Sequence, residues 1–248
     1  DQIRPFLRFL LKRRVDGIIV HSSIIAERFI SYGVPRDKIH AIHNAVGLTS
    51  PEDVLRGASI ELPGSDRRMK ILLPAARPVR DKGHDTAVLA LKKLKDKGED
   101  AVLWITGVVP TGVGTDFFDK LRMDVHSLGL ANDVHFLGWR EDLQALIIRS
   151  DVVIVPSRTE GFPRVIAEAM LLGVPVCATP VGGVPEAIID GKTGHLFEVG
   201  NDAMLADRIA ALISNSTLRT DIVEAARALA KDMFSLDKQT AAVSAVFR

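Results

Sequence analysis

The chain has 248 residues, 47% of them hydrophobic, enough for one domain with a sizeable core and a smaller appendage. Thirty-two basic residues against thirty-one acidic ones leave no global field that would select nucleic acid or an anionic membrane. The single cysteine, Cys177, sits in the apolar run Val174-Pro175-Val176-Cys177-Ala178; it excludes an internal disulfide framework, reads as a small core residue, and fits the reducing cytoplasm.

In chain order, the first expected helix is Ile3 to Arg14, where Phe6, Leu7, Phe9, Leu10 and Leu11 alternate with Arg4, Arg8, Lys12, Arg13 and Arg14. This basic amphipathic pattern suits either a membrane surface, and so a peripheral place at the inner membrane, or an ordinary helix packed on a neighbouring strand. No apolar stretch reaches about 18 residues, so no spanning helix is expected, and the N-terminus lacks the small-residue cleavage pattern of a signal peptide. Val15–Val20 reads as a buried strand. Ser22-Ser23 caps a helix to about Tyr32, which Gly33 and Val34-Pro35 stop. Lys38–Ile42 is a short strand, and His43–Gly64, rich in turn formers, resembles a linker. Two strands are too few to close a core. Residues 1–45 are therefore expected to be the end of a larger domain, with apolar surface left exposed or buried against another copy of the chain.

From Arg68 the alternation of strands and helices is regular. Strands are expected at Lys70–Pro74, Ala101–Thr106, Val134–Leu137, Asp151–Val155, Val174–Ala178 and Gly194–Phe197. Helices are expected at about Asp85–Lys97, Asp116–Leu128, Glu141–Arg149, Pro163–Leu172, Pro185–Ile189, Asp202–Ser214, Leu218–Met233 and Asp237–Val246. Continuous apolar strands such as Val152-Val153-Ile154-Val155 suit a parallel sheet covered on both faces. The fold class is thus α/β, a Rossmann-like doubly wound parallel sheet. The expected division is residues 1–45, a linker at 46–67, the doubly wound domain at 68–233, and a final helical segment at 234–248.

Ligands of such sheets bind at the carboxyl ends of strands, near helix N-termini. One polar corner is Ser157-Arg158-Thr159-Glu160-Gly161-Phe162-Pro163-Arg164-Val165-Ile166-Ala167-Glu168-Ala169-Met170, after the strand ending at Val155. Pro163 suits a first helical position and Gly173 a helix end. The amides of Arg164, Val165 and Ile166 are then expected to point out of the helix, forming with its dipole an anion site suited to phosphate. Glu168 lies in an apolar run, where a carboxylate is costly without partners; taken alone it reads as an ordinary helix-surface or ion-paired glutamate. A second corner is Ala75-Ala76-Arg77-Pro78-Val79-Arg80-Asp81-Lys82-Gly83. Arg77 and Lys82 near a helix N-terminus oppose its dipole unless they meet a bound anion, whereas Arg80 reads as solvated loop charge. Phe136-Leu137-Gly138-Trp139-Arg140 follows a short strand, and from its surroundings alone Trp139 reads as a packed rim aromatic. Gly107 to Gly114 is a glycine-rich turn without dinucleotide spacing. The histidines are scattered, and no metal-ligand set, Walker sequence or nucleophile elbow is present.

Glu160 and Glu168, separated by seven residues, with Gly-Phe after the first and Ala-Met after the second, resemble the donor-site signature of glycosyltransferase family four. The continuation Gly173-Val174-Pro175-Val176 and Thr179-Pro180-Val181-Gly182-Gly183-Val184-Pro185-Glu186 adds to the resemblance; Pro163, where many members have glycine, departs from it. The resemblance implies the C-terminal, donor-binding half of a GT-B fold with a remnant of the N-terminal, acceptor-side domain, and a last helix crossing back towards that domain. It implies that Glu160 contacts donor-sugar hydroxyls and Glu168 the ribose. Arg77 and Lys82 would grip the diphosphate, and the backbone of Gly161, Phe162, Arg164 and Val165 would approach the sugar and diphosphate. Gly138 and Trp139 would lie by the base. The implied reaction is metal-independent, retaining transfer of a sugar from a nucleotide-diphosphate donor to a saccharide or lipid-linked acceptor, with Arg77, Lys82 and Glu160 closest to the chemistry and no cofactor. Polysaccharide or lipopolysaccharide assembly is the expected setting, and this chain alone is expected to be inactive. A nucleotide-sugar epimerase of the same architecture, or a non-catalytic nucleotide-sugar-binding module, would present a similar cleft.

Overall fold

The computed structural model describes residues 11, 13–47, 52, 54, 61–67, 69–75, 77, 79–108 and 115–247. Most of the basic segment Ile3–Arg14 and residues 109–114 of the glycine-rich turn lie outside them. The described chain opens with strand β1 (Ile18–Val20), helix α1 (Ser23–Ser31) and strand β2 (Ile39–Ala41). The expected cap is present: the Ser22 hydroxyl accepts from the Ile25 amide at 3.3 Å. The two strands pair in parallel, Ile18 opposite Ile39 and Val20 opposite Ala41.

The larger unit runs β3 (Met69–Pro74), α2 (His84–Asp96), β4 (Ala101–Thr106), α3 (Thr115–Ser127), β5 (Val134–Gly138), α4 (Leu143–Arg149), β6 (Val152–Val155), α5 (Arg164–Leu172), β7 (Val176–Ala178), α6 (Val184–Ala187) and β8 (His195–Leu196). Helices α7 (Asp202–Ser214), α8 (Ser216–Met233) and α9 (Leu236–Val246) follow. The six strands form one parallel sheet in the order β5-β4-β3-β6-β7-β8. Its order reverses between β3 and β6, so the loops leaving their carboxyl ends diverge to opposite faces and leave a crevice.

Period-two alternation along the strands explains why they are apolar throughout. Met69, Ile71, Leu73, Leu103, Ile105 and Ile154 pack on one face under α2, α3 and α7. Leu72, Val102, Trp104, Val153 and Val176 pack on the other face under α4, α5 and α8. Trp104 is fully buried, and its indole N–H donates to the Pro63 carbonyl at 2.8 Å, which ties the segment before β3 to the sheet. Cys177 is buried and free, as expected of a core residue.

The expected elements recur with small shifts. β7 starts at Val176 rather than Val174, because Gly173 and the Val174 amide still close the end of α5. Pro163, expected as the first helical residue, is instead the cap of α5 with extended backbone, so the helix starts one residue later, at Arg164. Helix α9 lies against residues 44–46: the Gln239 side chain accepts from the Ala45 amide at 3.0 Å. Among the described residues no helix is long and apolar enough to cross a membrane.

Candidate active site

Four loops at the carboxyl edge of the sheet build the crevice. The loop after β3 ends in a tight turn at residues 80–82, where the Lys82 amide bonds the Val79 carbonyl at 3.0 Å and the Gly83 amide bonds the Arg80 carbonyl at 3.1 Å. Gly83 is in the left-handed region (φ 68°), and a Cβ there would sit 1.9 Å from the Pro156 carbonyl oxygen. Only glycine lets this turn press against the loop after β6. A similar approach fixes the loop after β7: at Gly182 (φ 55°) a Cβ would lie 2.0 Å from the Glu160 carbonyl oxygen. The Gly183 amide then donates to the Gly161 carbonyl at 2.6 Å, and the Thr179 hydroxyl to the Ser157 carbonyl at 2.5 Å. The loop carrying Glu160 is thus held from both sides.

That packing brings Lys82 and Glu160 together across 78 residues of sequence. The Lys82 ammonium donates to Glu160 Oε1 at 2.6 Å, and the Ser157 hydroxyl to the same oxygen at 2.7 Å. The Glu160 side chain is only 11% exposed and that of Lys82 29%. They line a cavity of about 190 Å³ with Pro74, Ala75, Pro163 and Val165. A second cavity of about 250 Å³ is lined by Glu168, Thr106, Gly107, Trp139, Arg140 and Leu143. Both lobes share Pro74, Ala75, Arg164 and Val165, so the N-terminus of α5 stands between them.

The expected set of three free amides at that terminus is corrected to two. The Ile166 amide bonds the Pro163 carbonyl at 3.0 Å, a tight i→i−3 bond in the first turn that satisfies an amide the helix would otherwise leave free. Arg164 and Val165 keep amides without an acceptor among the described residues, and the helix dipole adds to their partial charge. Glu168 lies in the second lobe with its side chain 14% exposed and its carboxylate 3.8 Å from the Arg164 guanidinium. Burial raises its carboxyl pKa above the ordinary value, and the Arg164 charge opposes this only in part.

The remaining expected residues divide. Trp139 is 61% exposed and borders both the second lobe and an adjoining cavity of about 700 Å³ beside Phe118, Arg122 and Phe136. Gly138 has φ 69° at the end of β5, and its carbonyl takes the Gly107 amide at 2.8 Å. Arg77 is exposed in the bend after β3 and lines neither lobe. Gly161 and Phe162 do not line the lobes either. The Phe162 ring packs with His43 (centroids 5.6 Å) and Phe234 (5.3 Å), at the junction with the two-stranded unit.

The same junction holds Glu186, quoted in the sequence without a role. Its Oε1 accepts from the Ser23 amide (2.9 Å), the Ser23 hydroxyl (2.8 Å) and the Ile24 amide (3.4 Å), so it caps α1 from the other unit. Its Oε2 lies 2.7 Å from His43 Nε2. Ser157, Arg158 and Asp85 were also missed; a serine three residues before a glutamate is a weak signal, and the Arg158–Asp85 pairing spans 73 residues. Sequence spacing alone carries no trace of it.

The family model for glycosyl transferases group 1 matches residues 60–229. The putative colanic acid biosynthesis glycosyltransferase WcaL of Salmonella typhimurium is 29% identical over 232 residues, covering 90% of this chain and 54% of the relative. A D-inositol 3-phosphate glycosyltransferase of Mycobacterium sp. (strain KMS) is 32% identical over 233 residues, covering 90% and 52%. The chain thus spans about half the length of the curated relatives it matches. Among solved structures, Anabaena Alr3699/HepE in complex with UDP and glucose superposes with a TM-score of 0.86 at 26% identity, over 100% of this chain and 69% of that one. The α/β fold with its parallel sheet matches GT-B glycosyltransferase structures. With the matched region running from before β3 into α8, the chain belongs to the glycosyl transferases group 1 family.

Proposed function

We propose that this chain is the donor-binding half of a retaining glycosyltransferase of family four, taking a sugar from a nucleoside diphosphate to an acceptor hydroxyl. The observation that carries this reading is the cleft itself: two carboxylate-bearing lobes meet at a helix N-terminus with two free amides and the Lys82 ammonium. A diphosphate seated at that terminus extends its sugar towards Glu160 and its nucleoside towards Glu168, with Trp139 beside the base. Uridine is the base of choice, on the likeness to a protein solved with UDP and glucose. An acceptor in polysaccharide or glycolipid assembly is supported by the likeness to WcaL.

The chemistry assigned to this half is stabilisation of the departing diphosphate. Fixed positive groups aimed at developing charge lower the barrier without reorganising during reaction. Lys82, the Arg164 and Val165 amides and, from the bend after β3, Arg77 supply that charge, so binding needs no divalent ion and withstands chelator. Without donor, Lys82 and Glu160 neutralise each other. Donor binding divides the pair: the diphosphate takes the ammonium and the sugar hydroxyls take the carboxylate. Transfer also needs an acceptor held at the anomeric carbon. We place that acceptor on the part of the curated relatives' length that these 248 residues do not match, so by themselves they are expected to bind donor without transferring its sugar.

The pairing makes a specific test possible. By calorimetry, Glu160→Gln leaves free UDP bound at least as tightly as before, since Lys82 no longer has a competing carboxylate, and weakens UDP-glucose roughly tenfold or more. Lys82→Ala weakens both ligands. Equal weakening of UDP and UDP-glucose by Glu160→Gln refutes the assignment of Glu160 to the sugar. A requirement for magnesium or manganese in UDP binding refutes the charge model.

A further inference from the structure

The loop with Lys82 and the loop with Glu160 leave different strands, and one residue joins them more extensively than the Lys82–Glu160 pair does. The Arg158 guanidinium makes a two-pronged pair with Asp85, Nη1 to Oδ1 at 3.0 Å and Nη2 to Oδ2 at 2.7 Å. Nη1 also donates to the Arg80 carbonyl at 2.5 Å, and the Arg158 amide to the Asp81 carbonyl at 2.7 Å. These bonds grip residues 80, 81 and 85, on both sides of Lys82, from a residue two positions before Glu160. The Asp85 carboxylate is partly buried, which raises its pKa; the Arg158 hydrogen bond and charge, with backbone amides, outweigh this and leave it below its ordinary value. Arg158 is therefore spent on Asp85 rather than offered to a ligand, and its planar fork holds the turn in one orientation.

We infer that Arg158 is a positioning residue: through Asp85 and the 80–81 carbonyls it sets where the Lys82 ammonium stands relative to the N-terminus of α5. This inference rests on the proposed diphosphate site and adds to it a device that fixes the spacing of its two cationic parts. The Lys82 stem has four rotatable carbons, so without a fixed turn its charge would spread over several ångströms.

The experiment compares UDP with UMP, which differ in the terminal phosphate, in wild type, Arg158→Ala, Arg158→Lys, Lys82→Ala and the Arg158→Ala/Lys82→Ala double variant. Arg158→Ala is expected to weaken UDP roughly tenfold and UMP less than about twofold. In the Lys82→Ala background the same substitution is expected to cost UDP almost nothing, because the group it positions is gone. Arg158→Lys keeps the charge and loses the fork; it is expected to fall with Arg158→Ala and serves if the alanine variant does not fold. Hydrogen exchange of residues 79–85 is expected to rise in either variant while that of α5 stays unchanged. Equal losses for UDP and UMP, additive losses in the double variant, or unchanged exchange at 79–85 overturn the positioning role. Absence of UDP binding by the unchanged protein, or a Lys82→Ala variant that treats UDP and UMP alike, overturns the donor-site reading instead.

Discussion

His84 offers a quantitative check on how the turn at Lys82 is held. It is the first residue of α2, directly after Gly83, and it is fully buried. Among the described residues neither ring nitrogen has a hydrogen-bond partner within bonding geometry, and the Phe117 ring meets it edge-on at 6.2 Å. Burial holds the imidazole neutral, with its pKa lowered from 6.5 to about 4; the Val79 backbone and the Asp85 charge oppose this in part, and Lys82 adds to it. On acidification the unfolded chain takes up this proton first, near 6.5, and the native state only near 4. The stability tied to neutral His84 is therefore present above the unfolded value and is lost as pH falls towards the folded one. Between pH 7 and pH 5 the loss is about 2 kcal/mol. His84→Leu removes the titration and also the two unpartnered nitrogens, so it is expected to be neutral or stabilising at pH 7. Urea unfolding of both proteins at the two pH values isolates the effect, since all other titrating groups are shared. The wild type should lose about 2 kcal/mol more than the variant on acidification. Parallel losses in the two proteins would refute a neutral, unpartnered His84.

Three further outcomes follow from the same geometry. Gly83→Ala adds left-handed strain to a carbonyl clash at 1.9 Å, and is expected to destabilise by about 3 kcal/mol and to weaken UDP binding; a denaturation midpoint within error of wild type would show the turn free to move. Glu186→Ala leaves the Ser22 cap in place but removes the acceptor of the Ser23 and Ile24 amides and the contact to His43, so amide exchange should rise in residues 23–31 and remain unchanged in β3 to β6; uniform exchange changes would place the effect elsewhere. In the proposed ribose contact the ionised Glu168 carboxylate is the stronger acceptor, and because burial raises its pKa, nucleotide affinity should fall as pH drops through that raised value. The ratio of wild-type to Glu168→Gln affinity, measured for UDP across that range, removes the titration of the ligand itself; a ratio independent of pH argues against the ribose contact.

Much of this molecule follows from local physics that a sequence carries openly. Continuous apolar runs separated by amphipathic ones specify buried parallel strands and covering helices, and six such runs yield the observed sheet with boundaries displaced by a residue or two. The pair Glu160 and Glu168, separated by seven residues around a helix start near Pro163, was equally legible, because both residues belong to one short segment. Tertiary structure decided what depends on separate segments meeting. It paired Lys82 with Glu160, took the Ile166 amide out of the anion site, and turned Phe162 away to pack on His43 and Phe234. It also gave Arg158 and Glu186 their partners, 73 and 163 residues distant in the chain. No propensity or periodicity reports such pairs, since a charged side chain in a loop has the same local preferences whether it meets water or a carboxylate from across the sheet.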